Sequence, residues 1–360
     1  MKPMIDARDR DLIGQETAAL QAWEPGPVSV GLVYGGVSVE DQLYKSKSPV
    51  GQLSSTALGD SLTELGLTWQ VVDPCTPTFV QDLTHHDVIL SNLHGPFGED
   101  GRLQGTLDYL RLPYCGNGVT ACAIGADKIK SKEFMSALGI PTPPWQVWKG
   151  VRDSMVRWPG RPVMVKPTLG GSSVGMNLVK SKNDLPMALA AALLVDSSPV
   201  LVEEFITGTP VTVGLLELPG GVVAFPPLAT YVYEAEYYDA DTKLNVSSQG
   251  TVSVEPAEFP IHVQDLVMRY ACILWEALDC RGAIRVDFMV TSAGAAYALE
   301  INPTPGMSRE ANFITGAGLV GLSHTDVVRA YLHEALTRPA YDVPLPVPVF
   351  TGTPEPRDAA

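Results

Sequence analysis

Hydrophobic and polar positions follow two different periods along this chain. Short, dense apolar runs, VSVGLVYGG (28–36), TWQVVDP (68–74) and HDVILSNLHG (86–95), read as buried strands. The first of them runs into a glycine turn, and a helical segment near 49–66 lies between the first two. Strands alternating with helices predict an α/β unit with a parallel, doubly wound sheet, whose ligands gather beyond the carboxyl ends of the strands. Residues 101–139 read as helices broken around Pro113–Gly118, and Pro141–Pro144 as a linker. Beyond it, strands PVMVKP (162–167) and VLVEEF (200–205) bracket a glycine loop and the helix-prone DLPMALAAALLV (184–195). A polar, tyrosine-rich loop (231–250), a long helix near 262–278 and a closing helix after Ser323 follow. Residues 1–27 read as a helical or loose extension, and the proline-bearing stretch from Arg338 as irregular.

The most informative pattern is AIRVDFMV (283–290) and AYALEIN (296–302) around a Ser-Ala-Gly turn, a β-hairpin by its alternation. In such a hairpin Asp287 and Glu300 share one face, with Asn302 beside Glu300. Ordinary surface acids are the plainer alternative. These acids, however, interrupt strongly apolar runs, where unpaired charge is costly. Three hard oxygen ligands of this kind suit Mg²⁺, with Mn²⁺ as a second option, completed by phosphate oxygens.

Length and charge narrow the function further. A chain of 360 residues is long enough for two or three domains. Its 25 basic and 40 acidic residues give a formal charge of -15, which opposes nucleic acid. Any phosphate must then be held by a local cluster of lysines, amides and metal. The five cysteines include no Cys-x-x-Cys pair, so neither a zinc site nor a disulfide framework is expected, and a cytoplasmic setting fits. No signal peptide is expected at the N-terminus, and stretches such as 188–195 are too short to span a bilayer.

Three further segments carry candidate chemistry. In PVMVKPTLGGSSVG (162–175), Lys166 stands at a strand end before Gly170, Gly171, Ser172 and Ser173. Small side chains let backbone amides approach phosphate while the lysine adds a point charge, which favours a nucleotide lid over a plain turn. It is not a Walker loop, because the lysine precedes the glycines. Glu203 and Glu204 close an apolar strand, a placement that alone is indecisive between an exposed terminus and a connector lining an adenine edge. HGPFGEDGRLQG (94–105) brings His94, Glu99 and Asp100 close in sequence, and a loop shaping a substrate pocket is favoured over a metal cluster.

Together these segments resemble the D-alanine–D-alanine ligase family of ATP-grasp enzymes, from about residue 28 to 336. The matching stretches are GLVYGGVSVE, HGPFGEDGRLQG through GADK, PVMVKPTLGGSSVGM, VLVEEFITG and RVDFMV to LEINPTPGMS. The resemblance implies an ATP-grasp fold with an extension (1–27), a Rossmann-like unit (28–125), a central lid unit (126–213), a catalytic unit (214–336) and a tail (337–360). It implies ATP and two Mg²⁺ as cofactors, amino-acid substrates and a homodimer. By position, Lys128 and Lys166 match phosphate-contacting lysines, Ser172 and Ser173 the lid loop, and Glu203, Glu204 and Ile206 the adenine hinge. Asp287, Glu300 and Asn302 match the metal ligands, while Arg285 and the Gly306 amide match the groups that stabilise the tetrahedral oxyanion. Glu40, hydrogen-bonded to Ser172, matches the carboxylate holding the donor ammonium, and Lys243 a lysine closing over the phosphates. His94 and Ser308 fall among the substrate-lining positions.

The chain departs from the family at the amino-acid subsites. Leu244 stands where Tyr is usual, Ala311 replaces a serine that touches the acceptor carboxylate, and Pro210 stands where a ribose-binding Glu is common. The usual Glu-His-x-Val-Ser becomes Glu40-Asp41-Gln42-Leu43-Tyr44. Drift within a divergent D-alanine–D-alanine ligase explains any one change. Several changes lining the same subsites favour altered specificity, as in homologues that attach serine or threonine to a mycosporine core. A nucleotide-binding scaffold without catalysis is disfavoured, because every lysine, arginine and metal position above is present. A kinase stopping at phosphorylation is separable by whether phosphate release needs an amine.

Overall fold

The computed structural model describes residues 2–38, 41–42, 45–46, 50, 53–150, 156–170, 175–195, 199–232 and 252–339. Fourteen strands among them form three sheets: β1 (Met4–Ile5), β2 (Ser29–Val33), β3 (Thr68–Val72), β4 (Val88–Ser91), β5 (Trp145–Trp148), β6 (Val163–Pro167), β7 (Asn177–Val179), β8 (Val200–Glu204), β9 (Thr209–Glu217), β10 (Val222–Ala224), β11 (Leu228–Val232), β12 (Val252–Pro256), β13 (Ala283–Val290) and β14 (Ala296–Asn302).

The first sheet is parallel with order β3-β2-β4, as strands separated by helices require. The second is antiparallel with order β5-β8-β6-β7. Val163, Val165, Val200 and Val202 are buried against the helix Leu185–Val195. By the two-residue period, Met164, Lys166, Leu201 and Glu203 take the opposite face. β5 is absent from the sequence-based reading, because WQVW shows no clean alternation.

The third sheet has seven strands, with β9 at its centre pairing β10, β11 and β13. Ile284, Val286, Phe288 and Val290 pack against the helix Ile261–Ala277, leaving Arg285 and Asp287 on the other face. Opposite Arg285, β9 has Gly214, where a Cβ would lie 2.7 Å from Phe225 and 2.9 Å from Phe313. The missing side chain lets those two rings, 5.2 Å apart, seat the helix Asn312–Leu319 on the sheet.

Packing divides the chain differently from the sequence-based boundaries at three places. β9 is one continuous strand, so the 213/214 boundary cuts through it. The helix Lys128–Ala137 buries Met135 in the core of the seven-stranded sheet, although 126–213 is the expected central unit. Of the two readings of residues 1–27, helical or loose, the helical one holds, with a short strand before the helix. β1 joins the seven-stranded sheet through Met4↔Val222, and the helix Arg10–Ala22 lies on the helix His324–Thr337 with Ile13 and Leu20 buried. Their apolar positions are too few to show from sequence which partner they bury against. All five cysteines are free thiols.

Candidate active site

Three lysines converge on the polar face of the four-stranded sheet. Lys166 is buried near the end of β6 and is ion-paired with Glu203 of β8. Glu203 also meets Lys132 at 2.7 Å, and Lys132 donates to Thr142 Oγ1 at 2.6 Å. Lys128 opens the helix Lys128–Ala137, capped by Asp127, and donates to the carbonyl of Gly170. Burial by itself would raise the Glu203 pKa, but Lys166 and Lys132 outweigh it and hold the carboxyl below its ordinary value. One carboxylate against two buried ammonium groups leaves a positive charge uncancelled in a chain of net charge -15. Such a surplus favours an anion.

From Glu204 the chain crosses to β9. The Glu204 amide donates to Pro144 O at 2.8 Å, the Glu204 carboxylate pairs with Arg161 at 3.2 Å, and Ile206 is half-buried. Gly208 presses against β13: a Cβ there would lie 2.4 Å from the Val290 carbonyl oxygen. Pro210 lies in β9 opposite Met289.

The predicted hairpin forms, with Asp287 opposite Glu300 and Arg285 opposite Asn302. All four therefore share one face. Arg285 binds Asp287 through both ends of its fork, Nε to Oδ1 and Nη2 to Oδ2, each at 2.9 Å. Its Nη2 lies 3.9 Å from Glu300, and Thr212 Oγ1 donates to Asp287 at 2.7 Å. Burial weakens the Arg285 charge, but Asp287, Glu300 and Glu99 outweigh that and raise its pKa further. Asn302 Oδ1 accepts from the Thr304 amide at 2.9 Å. The opposed carboxylates and neighbouring amide oxygen are the donor set a hard divalent cation takes. Among the described residues no three His, Cys, Asp or Glu side chains are grouped to hold an ion unaided, so phosphate oxygens would have to complete such a site.

After β14 the chain turns through Gly306, Ser308 and Ala311. A Cβ on Gly306 would lie 3.8 Å from that of Ala311, so these two candidates are neighbours. Ala311 caps the helix Asn312–Leu319 without a side-chain hydrogen bond. Exposed Arg309 pairs with Asp60 at 2.9 Å.

The loop after β4 contributes His94 and Glu99. Buried Asp41 accepts from the His94 amide at 2.9 Å and lies 3.4 Å from His94 Nδ1. Burial opposes charge on this imidazole, yet Asp41 and Glu99 prevail over it and over Arg285, raising the His94 pKa. Glu99 Oε2 accepts from the Gly95 amide at 2.8 Å, and Asp100 is turned to Phe97 and Arg102.

The structure thus places Lys166, Glu203 and Glu204 on one sheet with Lys128 on a helix beside it, and His94, Arg285, Asp287, Glu300, Asn302, Gly306, Ser308 and Ala311 around the other. Glu40, Leu43, Ser172, Ser173, Lys243 and Leu244 lie outside the described residues. Sequence reasoning missed Lys132, although its spacing of four from Lys128 places both on one helix face. It also missed Thr212 and Asp41, whose partners are distant in sequence and leave no local signal.

Residues 134–333 match the D-ala D-ala ligase C-terminus family model. The chain is 32% identical over 320 residues to a D-alanine–D-alanine ligase of Syntrophotalea carbinolica, covering 89% of this chain and 100% of that one. It is 35% identical over 269 residues to that of Mycobacterium ulcerans, covering 70% of this chain and 69% of the relative. The structure is similar to that of D-alanine–D-alanine ligase from Bacillus anthracis complexed with ATP, at a TM-score of 0.71 and 24% identity, covering 86% and 97% of the two chains. It is also similar to the VanG D-Ala:D-Ser ligase from Enterococcus faecalis, at a TM-score of 0.68 and 20% identity, covering 86% and 99%. At these identities the structural likeness speaks for the fold alone. Fold and site define an enzyme of the ATP-grasp ligase class. The chain belongs to the D-alanine–D-alanine ligase family. Among the described residues no helix is long and apolar enough to cross a membrane.

Proposed function

We propose that this enzyme uses ATP to activate the carboxylate of an amino-acid donor and joins it to the amine of an acceptor other than D-alanine. The observation that carries the ligase reading is the polar face of the β13–β14 hairpin, where Arg285, Asp287, Glu300 and Asn302 lie side by side, ahead of the Gly306 turn. A carboxylate resists amines because oxide is a hopeless leaving group. Taking the γ-phosphoryl of ATP makes an acyl phosphate and releases ADP, and the amine then displaces phosphate. Lys128 and Lys166 would bind the triphosphate, with Glu203 holding Lys166 in place. Arg285 and the Gly306 amide would stabilise the oxyanion formed by amine attack. Asp287, Glu300 and Asn302 would hold magnesium, which when bound neutralises charge on the transferring phosphoryl group. Roles for Glu40, Ser172, Ser173 and Lys243, and a homodimer, follow from the family resemblance.

Two observations favour a changed substrate pair, the first on the acceptor side and the second beside the proposed donor-binding Glu40. Ala311 brings no hydroxyl to the turn beside Gly306, where the family serine touches the acceptor carboxylate. Asp41, at the position of a family histidine, instead binds His94.

The test is phosphate release from ATP with single and paired D- and L-amino acids, products being read by mass spectrometry. Strong turnover with D-alanine alone would end the acceptor assignment. Absence of ATP-dependent coupling with every pair would end the ligase assignment, and ADP formation with a phosphorylated donor and no coupled product would point to a kinase.

A further inference from the structure

Three carbonyls of the turn after β14 are each held by a buried side chain from elsewhere in the chain. Asn117 Nδ2 donates to Pro303 O at 2.8 Å, Asn92 Nδ2 to Pro305 O at 3.3 Å, and His324 Nε2 to Met307 O at 2.9 Å. The donors come from the loop before the helix Val119–Ala126, from the end of β4, and from the first turn of the helix His324–Thr337. Pro303 and Pro305 have no N–H, so the turn cannot be anchored by donating its own amides at those positions. Burial alternates along 303–308, with 303, 305 and 307 buried and 304, 306 and 308 partly exposed. The peptide between Pro305 and Gly306 is trans, so fixing the Pro305 carbonyl on Asn92 turns the Gly306 amide, which lies anti to it in the same plane, to the other side.

His324 is the most constrained of the three. A carbonyl only accepts, so Nε2 carries the proton and Nδ1 accepts from Ser61 Oγ at 2.8 Å. Burial keeps the ring neutral by lowering its pKa, against the raising effect of the Met307 carbonyl. Ser61 lies on the helix Ser54–Glu64 beside the parallel sheet, and neighbouring Thr325 donates to Glu64 of that helix at 2.6 Å. The His324 helix itself is locked by a capping box between Ser323 and Asp326. A rigid line thus runs from the first sheet through an imidazole to the turn carrying Gly306 and Ser308.

We propose that His324 is a positioning residue which, with Asn92 and Asn117, clamps the 303–308 turn so that the Gly306 amide is presented to the acyl centre. This inference rests on the oxyanion role proposed above for Gly306. It involves no contact between His324 and substrate.

The test uses the full-length enzyme with the amino-acid pair identified by the screen above. His324→Leu keeps bulk but removes both hydrogen bonds. It should lower kcat for phosphate release by about ten- to a hundredfold while shifting KM for ATP by less than about twofold, as expected of a displaced catalytic group. Amide hydrogen exchange in 303–308 should accelerate. His324→Gln, which keeps an N–H donor, should restore kcat to within about threefold of wild type and restore the exchange rate. A folded His324→Leu enzyme with wild-type kcat or unchanged exchange overturns the proposal, as does a His324→Gln enzyme no better than His324→Leu. If His324→Leu does not fold, Ser61→Ala decides: a modest loss of kcat with faster exchange supports the clamp, and no change in either overturns it. Should wild type couple no pair at all, the ligase reading has failed before any variant is made. Exchange in His324→Leu then still decides whether the clamp exists.

Discussion

The four-stranded and seven-stranded sheets each offer one polar face, but they are anchored in the molecule in opposite ways. Among the described residues, the core under β5-β8-β6-β7 draws only on residues between Trp148 and Val202, so this unit has an interior of its own. The core that includes Leu216 and Phe225 of the seven-stranded sheet also takes in Ile5 and Leu20, Leu32 and Leu90 of the parallel sheet, and Val327 to Ala335 of the last described helix. The lysines expected to meet ATP lie on or against the independent unit, whereas the hairpin expected to perform the chemistry belongs to the sheet that joins the shared core, its own apolar face packing with Ala121, Met135 and Ile140 in a second core that also draws on distant segments. A unit with a private core can move as a rigid body, whereas a shared core resists such motion. The contrast predicts that rigid-body motion belongs to the unit carrying Lys166 and Glu203 rather than to the hairpin.

Four experiments break or sharpen this contrast, from the largest expected effect to the smallest. Glu203→Gln leaves Lys132 and Lys166 buried without a counter-charge, which should cost about 4 kcal/mol. If the central unit is independent, its urea transition should separate from that of the rest, seen as non-coincident tryptophan fluorescence and circular dichroism. A single shifted transition would mean that the two cores unfold together. Leu20→Ala opens a cavity in the shared core and should cost about 3 kcal/mol, lowering the main transition but not the central one. Arg285→Lys keeps charge while losing the two-pronged bond to Asp287. It should reduce kcat about a hundredfold with little change in ATP affinity, measured by phosphate release and nucleotide titration.

The smallest effect concerns pH. Glu334 is buried in the shared core, and burial pushes its carboxyl up to about 7 despite Arg338 at 2.8 Å. A carboxyl with a raised folded pKa binds more protons folded than unfolded, so its effect on stability declines as pH rises from the ordinary carboxylate range to about 7. Glu334→Gln should flatten the thermal midpoint of the main transition across that window and leave the central transition unaffected. Parallel pH curves for wild type and variant would remove Glu334 from the account.

Much of both units was legible in the sequence, and the failures have one physical origin. Alternation alone predicts the hairpin, because Arg285 and Asp287 alternate with Ile284, Val286 and Phe288, as Glu300 and Asn302 do with Ile301. Dense apolar runs predict β2, β3, β4, β6 and β8, and the lysine before the glycine loop points to phosphate. Lys132 was available from helical spacing. The placement of residues 4–22, the pairing of Thr212 with Asp287 and the grip of Asn92, Asn117 and His324 on the turn were not. Each depends on a partner remote along the chain, and local periodicity carries no record of such partners.

One of these remote pairings bears on how the protein is made. Met4 needs Val222 beside it, and Gln21 and Trp23 receive Arg329 through their carbonyls at 3.2 and 3.0 Å. This segment must therefore wait during synthesis, its apolar side chains uncovered, until Val222 and Arg329 have followed it. Holding that segment apart from other chains during the interval, as a chaperone does, should raise the yield of folded enzyme.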